Sequence, residues 1–263
     1  MATNAPATTG ATCIAHPVRQ DAWWVTPLLT VVVFVGFIIY SSWRALEGFY
    51  QPGTTHFIQE PYVSPLYALH FVKSGWGFLA STNVSPALFV LPIPLFFRLT
   101  CYYFRKAGYR SFLADPRACA VPESRKKYAG ETVMPWVWVN LHRITFFFAA
   151  ALVFLTYKDT VEAYIFDGRF GIGVGSLLYT LEAVMVTLYT FSCHYFRHLV
   201  GGKIDCFDCP GGAVRYSLWR WVTAWNVSHM QWFWASLVSI MLIDLYIRLL
   251  GAGVIPQDPR IVF

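Results

Sequence analysis

The residues best suited to chemistry are concentrated between positions 193 and 209. There Cys193-His194-Tyr195-Phe196-Arg197-His198 runs through Gly201-Gly202 into Cys206-Phe207-Asp208-Cys209. Three of the six cysteines and two of the seven histidines fall in this stretch. His194 and His198 are four apart, so on a helix their imidazoles lie one turn apart on the same face. Gly201-Gly202 then ends the helix. The CxxC spacing of Cys206 and Cys209 lets two thiolates reach one metal ion. In a reducing compartment the pair is expected as thiols or ligands rather than as a disulfide. Three chemistries use such a set. One is a structural zinc on two Cys and two His. Another is haem b between histidines of different helices, such as His194 with His142 or His229. The third is a Rieske-type [2Fe-2S] cluster, with two Cys on one iron and two His on the other.

The elements that must position these groups are membrane helices. The chain is 56% hydrophobic, 18% aromatic and only 13% charged, whereas soluble domains carry about 25% charged residues. Five apolar segments, 25–43, 76–103, 137–157, 173–196 and 230–250, are long enough for a hydrocarbon core of about 30 Å. The fold class is therefore an all-α membrane protein with five transmembrane helices. Residues 1–22 form an N-terminal tail and 23–263 a single transmembrane helical domain. Basic residues alternate between sides: Arg105, Lys106, Arg110, Arg117, Arg125, Lys126 and Lys127 in one loop, Lys203, Arg215 and Arg220 in another. By the positive-inside rule these loops and the N-terminus are cytoplasmic, and the C-terminus is outside. The formal net charge of +6 is mostly this asymmetry and does not indicate nucleic-acid binding. A basic face of this kind suits anionic lipid or a soluble partner.

Topology then gathers the ligand-type residues into one layer. His142, His194, His198 and His229 all fall at the cytoplasmic ends of the last three segments, as do Cys101, Cys193, Cys206 and Cys209. His142-Arg143, with Asn140, is an ionisable group at the mouth of a membrane helix, and such groups face a cavity or the bundle interior. Glu182 and Asp244 lie toward the opposite side. Glu182 is the one polar residue near the midplane, where a transporter would need a polar site.

Leu141-His142-Arg143-Ile144-Thr145 resembles the His-Arg signature of the membrane-anchor subunits of succinate dehydrogenases and fumarate reductases. Arg197-His198-Leu199, followed by Asp205, resembles the Arg-His and downstream Asp that close the next helix in that family. The resemblance covers the last three segments. Where many members carry a haem-ligating His this chain has Phe191, with His194 one turn nearer. It is similar in this to the class whose single five-helix anchor holds a membrane-embedded Rieske-type cluster. The resemblance implies a multi-pass protein of the cell inner membrane with no succinate chemistry of its own. A flavoprotein subunit and an iron–sulfur subunit would dock on the basic face. Electrons would pass through the cluster, on Cys206, Cys209, His194, His198 or His229, with Cys193 and Cys101 as replacements, to a membrane quinone. His142 and Arg143 would bind that quinone, and Trp138, Trp221 and Trp225 would wall its ring. The alternatives are a haem b anchor and a zinc-stabilised membrane scaffold without a redox role.

Overall fold

The computed structural model describes residues 21–47, 58–67, 87–114, 117–119, 121, 136–202, 206 and 208–263. The N-terminal tail up to residue 20, His70 and the first half of the second expected span lie outside them. The helices, in chain order, are α1 (Val25–Ala45), α2 (Ala87–Val90), α3 (Pro92–Leu99), α4 (Tyr102–Leu113), α5 (His142–Glu162), α6 (Val174–Phe191), α7 (His194–Gly201), α8 (Gly212–Asn226) and α9 (His229–Gly251). A 3-10 turn, Trp136–Leu141, leads into α5, and another, Pro65–Tyr67, follows a two-strand ribbon of β1 (Ile58–Gln59) and β2 (Tyr62–Val63). Strands β3 (Ile165–Phe166), β4 (Arg169–Gly173) and β5 (Arg260–Val262) form a small antiparallel sheet.

Among the described residues, α1, the stretch through α5, α6 and α9 are each long and apolar enough to cross a membrane, and the bent α2–α4 stretch makes a fifth candidate. Such helices need few side-chain caps, because every interior backbone group is satisfied within the helix and the surroundings are lipid. Their outward faces are apolar, as Leu28, Leu29, Val32 and Ile39 on α1 and Phe147, Phe148 and Phe154 on α5 show by their exposure. Their inward faces meet in a core of Phe34, Phe37, Phe97, Phe104, Phe146, Tyr189, Phe233 and Leu237. Helix α6 packs on both α5 and α9, α3 packs on α5, and α4 packs on α1.

Three of the expected elements take a different form. The second segment does not run on through Tyr103. It turns by 85° between Leu99 and Tyr102, where Thr100 Oγ1 donates to the Phe96 carbonyl at 2.7 Å and Cys101 adopts an extended conformation. The fourth segment stops at Phe191 and restarts at His194. Two of the groups freed by this break find partners. The Ser192 carbonyl accepts from Asn226 Nδ2 at 2.6 Å, and the Phe196 N–H donates to Cys193 Sγ at 3.2 Å. The stretch after the CxxC pair is a helix, α8, packed mainly on α7. Its Val214, Leu218 and Trp221 form an exposed apolar stripe, flanked by exposed Arg215 and Arg220, the pattern of a helix lying in the interface.

The end of the bundle near Glu162 is closed by buried polar contacts. Asp258 accepts from Tyr62 Oη at 2.7 Å, from the Gly175 N–H at 3.1 Å and from Tyr246 Oη. This joins β2, the start of α6, α9 and the C-terminal segment. Asp244, fully buried rather than interfacial, accepts from Tyr40, Ser64 and, at 2.8 Å, Arg248 Nε. Arg248 also pairs with buried Glu47. Glycine is required at 175, because a Cβ there would fall into the Tyr62 ring. Gly175→Ala is expected to destabilise the folded chain by about 1–3 kcal/mol, an overpacking cost, read as an earlier thermal transition of the purified protein. An unchanged transition would show that Tyr62 yields freely.

Candidate functional site

Three helices begin at one level of the bundle, where α5 also takes over from its 3-10 turn. His142 is the first residue of α5, and His229 is the first residue of α9. Cys101 and Cys193 are the N-caps of α4 and α7. The starts of α4, α7 and α9 therefore bring partial positive charge to this layer and favour negative charge arriving there, while α5 continues its 3-10 turn without a break.

The layer is built of stacked rings. His142 lies face to face with Phe97 at 4.6 Å, Phe97 meets Tyr189 edge-on at 5.4 Å, and Tyr189 stacks on His229 at 5.1 Å. Tyr103 covers the other side of His229, also at 5.1 Å. His142 Nδ1 is 3.1 Å from Thr100 Oγ1. His229, 1% exposed, has both ring nitrogens engaged, Nδ1 with Ser192 Oγ at 2.8 Å and Nε2 with Cys101 Sγ at 3.3 Å. Cys101 and Cys193 are free thiols buried in the central core. The layer thus holds two imidazoles and two thiols from helices distant in sequence.

The expected local set is arranged differently. His194 and His198 do share one face of α7, with their Nε2 atoms 3.1 Å apart. One nitrogen must donate and the other accept, so at least one ring is neutral. Burial, and then the neighbouring His198 and Arg197, hold the His194 pKa below its ordinary value. The His194 ring stacks on Tyr102 at 5.4 Å. Cys206 and Cys209 are joined in a disulfide, not held as thiols. A bonded pair offers no thiolate to a metal, so the local set of Cys206, Cys209, His194 and His198 does not fit a cluster, and His229 is engaged elsewhere. Among the described residues no three His, Cys, Asp or Glu side chains are already grouped as a metal site. By donor chemistry the better-matched set is buried Cys101, Cys193 and His229 with half-buried His142. Spacing could not reveal it, since Cys101 and His229 are separated by 128 positions. The signal that was present is the pairing of a Cys or His with a helix start.

Of the residues expected around a quinone, His142 is half-buried and Arg143, beside it, is exposed. Trp138 is exposed on the turn before α5. Trp221, exposed, and Trp225, half-buried, stand together on α8 with ring centroids 6.4 Å apart.

A family described as actinobacterial succinate dehydrogenase subunit SdhC matches residues 25–253. A chain of the Mycobacterium smegmatis Sdh1 complex in the apo form is similar over 96% of both chains, with 32% sequence identity and a TM-score of 0.84. No curated protein matches the chain.

Proposed function

Because the chain belongs to the family of actinobacterial succinate dehydrogenase SdhC membrane subunits, we propose that it passes electrons from a partner iron–sulfur subunit to a membrane quinone. The observation that carries this reading is the convergence of three helix starts and the first residue of α5 on buried Cys101, Cys193 and His229 and half-buried His142. A membrane anchor with no redox task has no use for that arrangement, since buried polar groups in a bundle are costly and need partners. The partners are a flavoprotein subunit, where succinate is oxidised, and an iron–sulfur subunit, docked at the end of the bundle where His142, α7 and α8 lie. That end is the cytoplasmic one in this reading.

The group that suits the donors is a Rieske-type [2Fe-2S] cluster, held by Cys101 and Cys193 through sulfur and by His142 and His229 through nitrogen. Such a cluster supplies one-electron transfer at a potential raised by imidazole ligation. The chain's own part is to enclose the layer with the rings of Phe97, Tyr103 and Tyr189. It also directs the positive ends of α4, α7 and α9 at the incoming electron. Arg143 stands at the exposed rim next to His142. There it can donate charge-assisted hydrogen bonds to a quinone oxygen as that oxygen gains charge. Trp138, Trp221 and Trp225 offer aromatic faces at the same level.

The test is iron and sulfide analysis with electron paramagnetic resonance on the purified complex. A Rieske-type signal lost in Cys101→Ser supports the reading. Sharp haem bands, or a colourless membrane subunit, would replace it with the haem b or scaffold alternative. Arg143→Ala is expected to leave the complex assembled and to lower quinone reduction about tenfold, the loss of a hydrogen bond worth about 1.5–3 kcal/mol. Normal turnover in the assembled variant would mean that Arg143 only reaches for lipid headgroups.

A further inference from the structure

An internal cavity of about 80 Å³ lies between α3, α5 and α6, with Asp159, Glu182, Arg98 and Tyr189 among its lining residues. Its lining on α5 runs from Asp159 back to Ala149, and on α6 from Tyr179 to Thr190. At 1.5 Å of rise per residue each stretch covers about 15 Å, roughly half of a hydrocarbon core. The cavity therefore reaches from the Glu162 end of the bundle to the ring layer, where Tyr189 stacks on His229.

Its polar groups are unusual for such a depth. Glu182 and Arg98 are each 2% exposed and Tyr189 is 1% exposed. Glu182 Oε2, Arg98 Nε and Tyr189 Oη have no hydrogen-bond partner among the described residues. Arg98 is otherwise held by a 2.8 Å bond to Ser236 Oγ and by the faces of Tyr189 and Phe233. Three unsatisfied polar atoms around one cavity call for internal water. The volume accommodates about two to three water molecules at the ~30 Å³ that each takes in the liquid. At the far end Asp159 is 3.8 Å from Lys158 Nζ, with its side chain 13% exposed.

We propose that this cavity is a water-filled proton path from the outer face, with Glu182 as the relay that supplies the protons of quinone reduction. Quinone takes two electrons and two protons to become quinol. Each proton leaves the Glu182 carboxyl along water toward the ring layer, and the carboxylate is reprotonated by water entering past Asp159. No bond other than O–H is made or broken on the chain. The charged and titratable groups facing Glu182 are Asp159 on α5, Arg98 on α3, and Tyr179 and Tyr189 on its own helix.

The proposal rests on the quinone-reducing reading, and the experiment separates the two. The whole complex is reconstituted in vesicles with the succinate-oxidising subunits outside and a pH dye inside, and a short-chain quinone is the acceptor. The wild type is expected to turn the vesicle interior alkaline in step with quinone reduction. Glu182→Gln should lose that signal and slow quinone reduction about tenfold or more, with succinate oxidation by a soluble artificial acceptor unchanged. Glu182→Asp should recover part of the rate. A second measurement needs no variant: the reduced-minus-oxidised infrared spectrum should show a protonated carboxyl band that shifts in D2O. Proton uptake from the outside medium alone, a Glu182→Gln enzyme at wild-type rate, or no such band would each overturn the path. Wild-type vesicles that oxidise succinate but never reduce quinone would remove the underlying reading, and the relay with it.

Discussion

Replacing His229 by Ala is expected to lower quinone reduction by about ten- to a hundredfold, the scale on which metal sites respond to loss of an orienting group. Succinate oxidation with a soluble acceptor should survive, because that chemistry sits in the partner subunits. His229 ties together three helix breaks. It is the first residue of α9, its Nδ1 bonds Ser192 at the α6–α7 break, and its Nε2 meets Cys101 at the α3–α4 bend. Removing the ring also leaves Ser192 Oγ short of a buried partner, at a cost of about 1–3 kcal/mol, so assembly must be verified alongside the rates. His229→Gln separates the roles. It keeps a hydrogen-bonding side chain and supplies no imidazole. If Gln restores electron flow, His229 is a packing hub and nothing more. If Gln is as inactive as Ala in an assembled complex, the imidazole itself is required.

Arg248→Met should be the most destabilising single change, costing about 3–5 kcal/mol, because it strands buried charges. Arg248 is 5% exposed, Glu47 2% and Asp244 0%. The guanidinium is the partner of both carboxylates, while Tyr40 and Ser64 donate to Asp244 from two other elements. The loss should appear as poor recovery of intact complex and an early thermal transition. The triple variant Arg248→Met with Glu47→Gln and Asp244→Asn should regain much of the stability, since neither buried carboxylate is left stranded and only the less buried Arg44 loses an ion-pair partner. A single variant as stable as the wild type would show that water or lipid headgroups already reach this cluster.

The spans were legible because lipid imposes long apolar runs, and α1, α5, α6 and α9 follow from such runs. The breaks were not. Cys193 and Thr100 carry no Gly or Pro signal, and each interruption is sustained by partners far along the chain: Asn226 on Ser192, and Thr100 against His142. Helix α8 was readable in principle from the spacing of Val214, Leu218, Trp221 and Trp225, but its charges read as a loop. The candidate site was half legible. Residue types and the layer in which they fall came from topology alone. Which Cys meets which His is decided by tertiary packing, so the local HxxxH and CxxC spacing pointed to the conspicuous set, whereas the contact present is between Cys101 and His229. The disulfide of Cys206 and Cys209 runs against the expectation of free thiols.

The contacts of Asp258 join distant parts of the chain through one late residue. Its partners Tyr62, Gly175 and Tyr246 all precede it in the sequence, so this latch can form only after every described helix has been synthesised. A chain truncated after Gly251 keeps α1 to α9 in its sequence and lacks the residue that ties β2, α6 and α9 together.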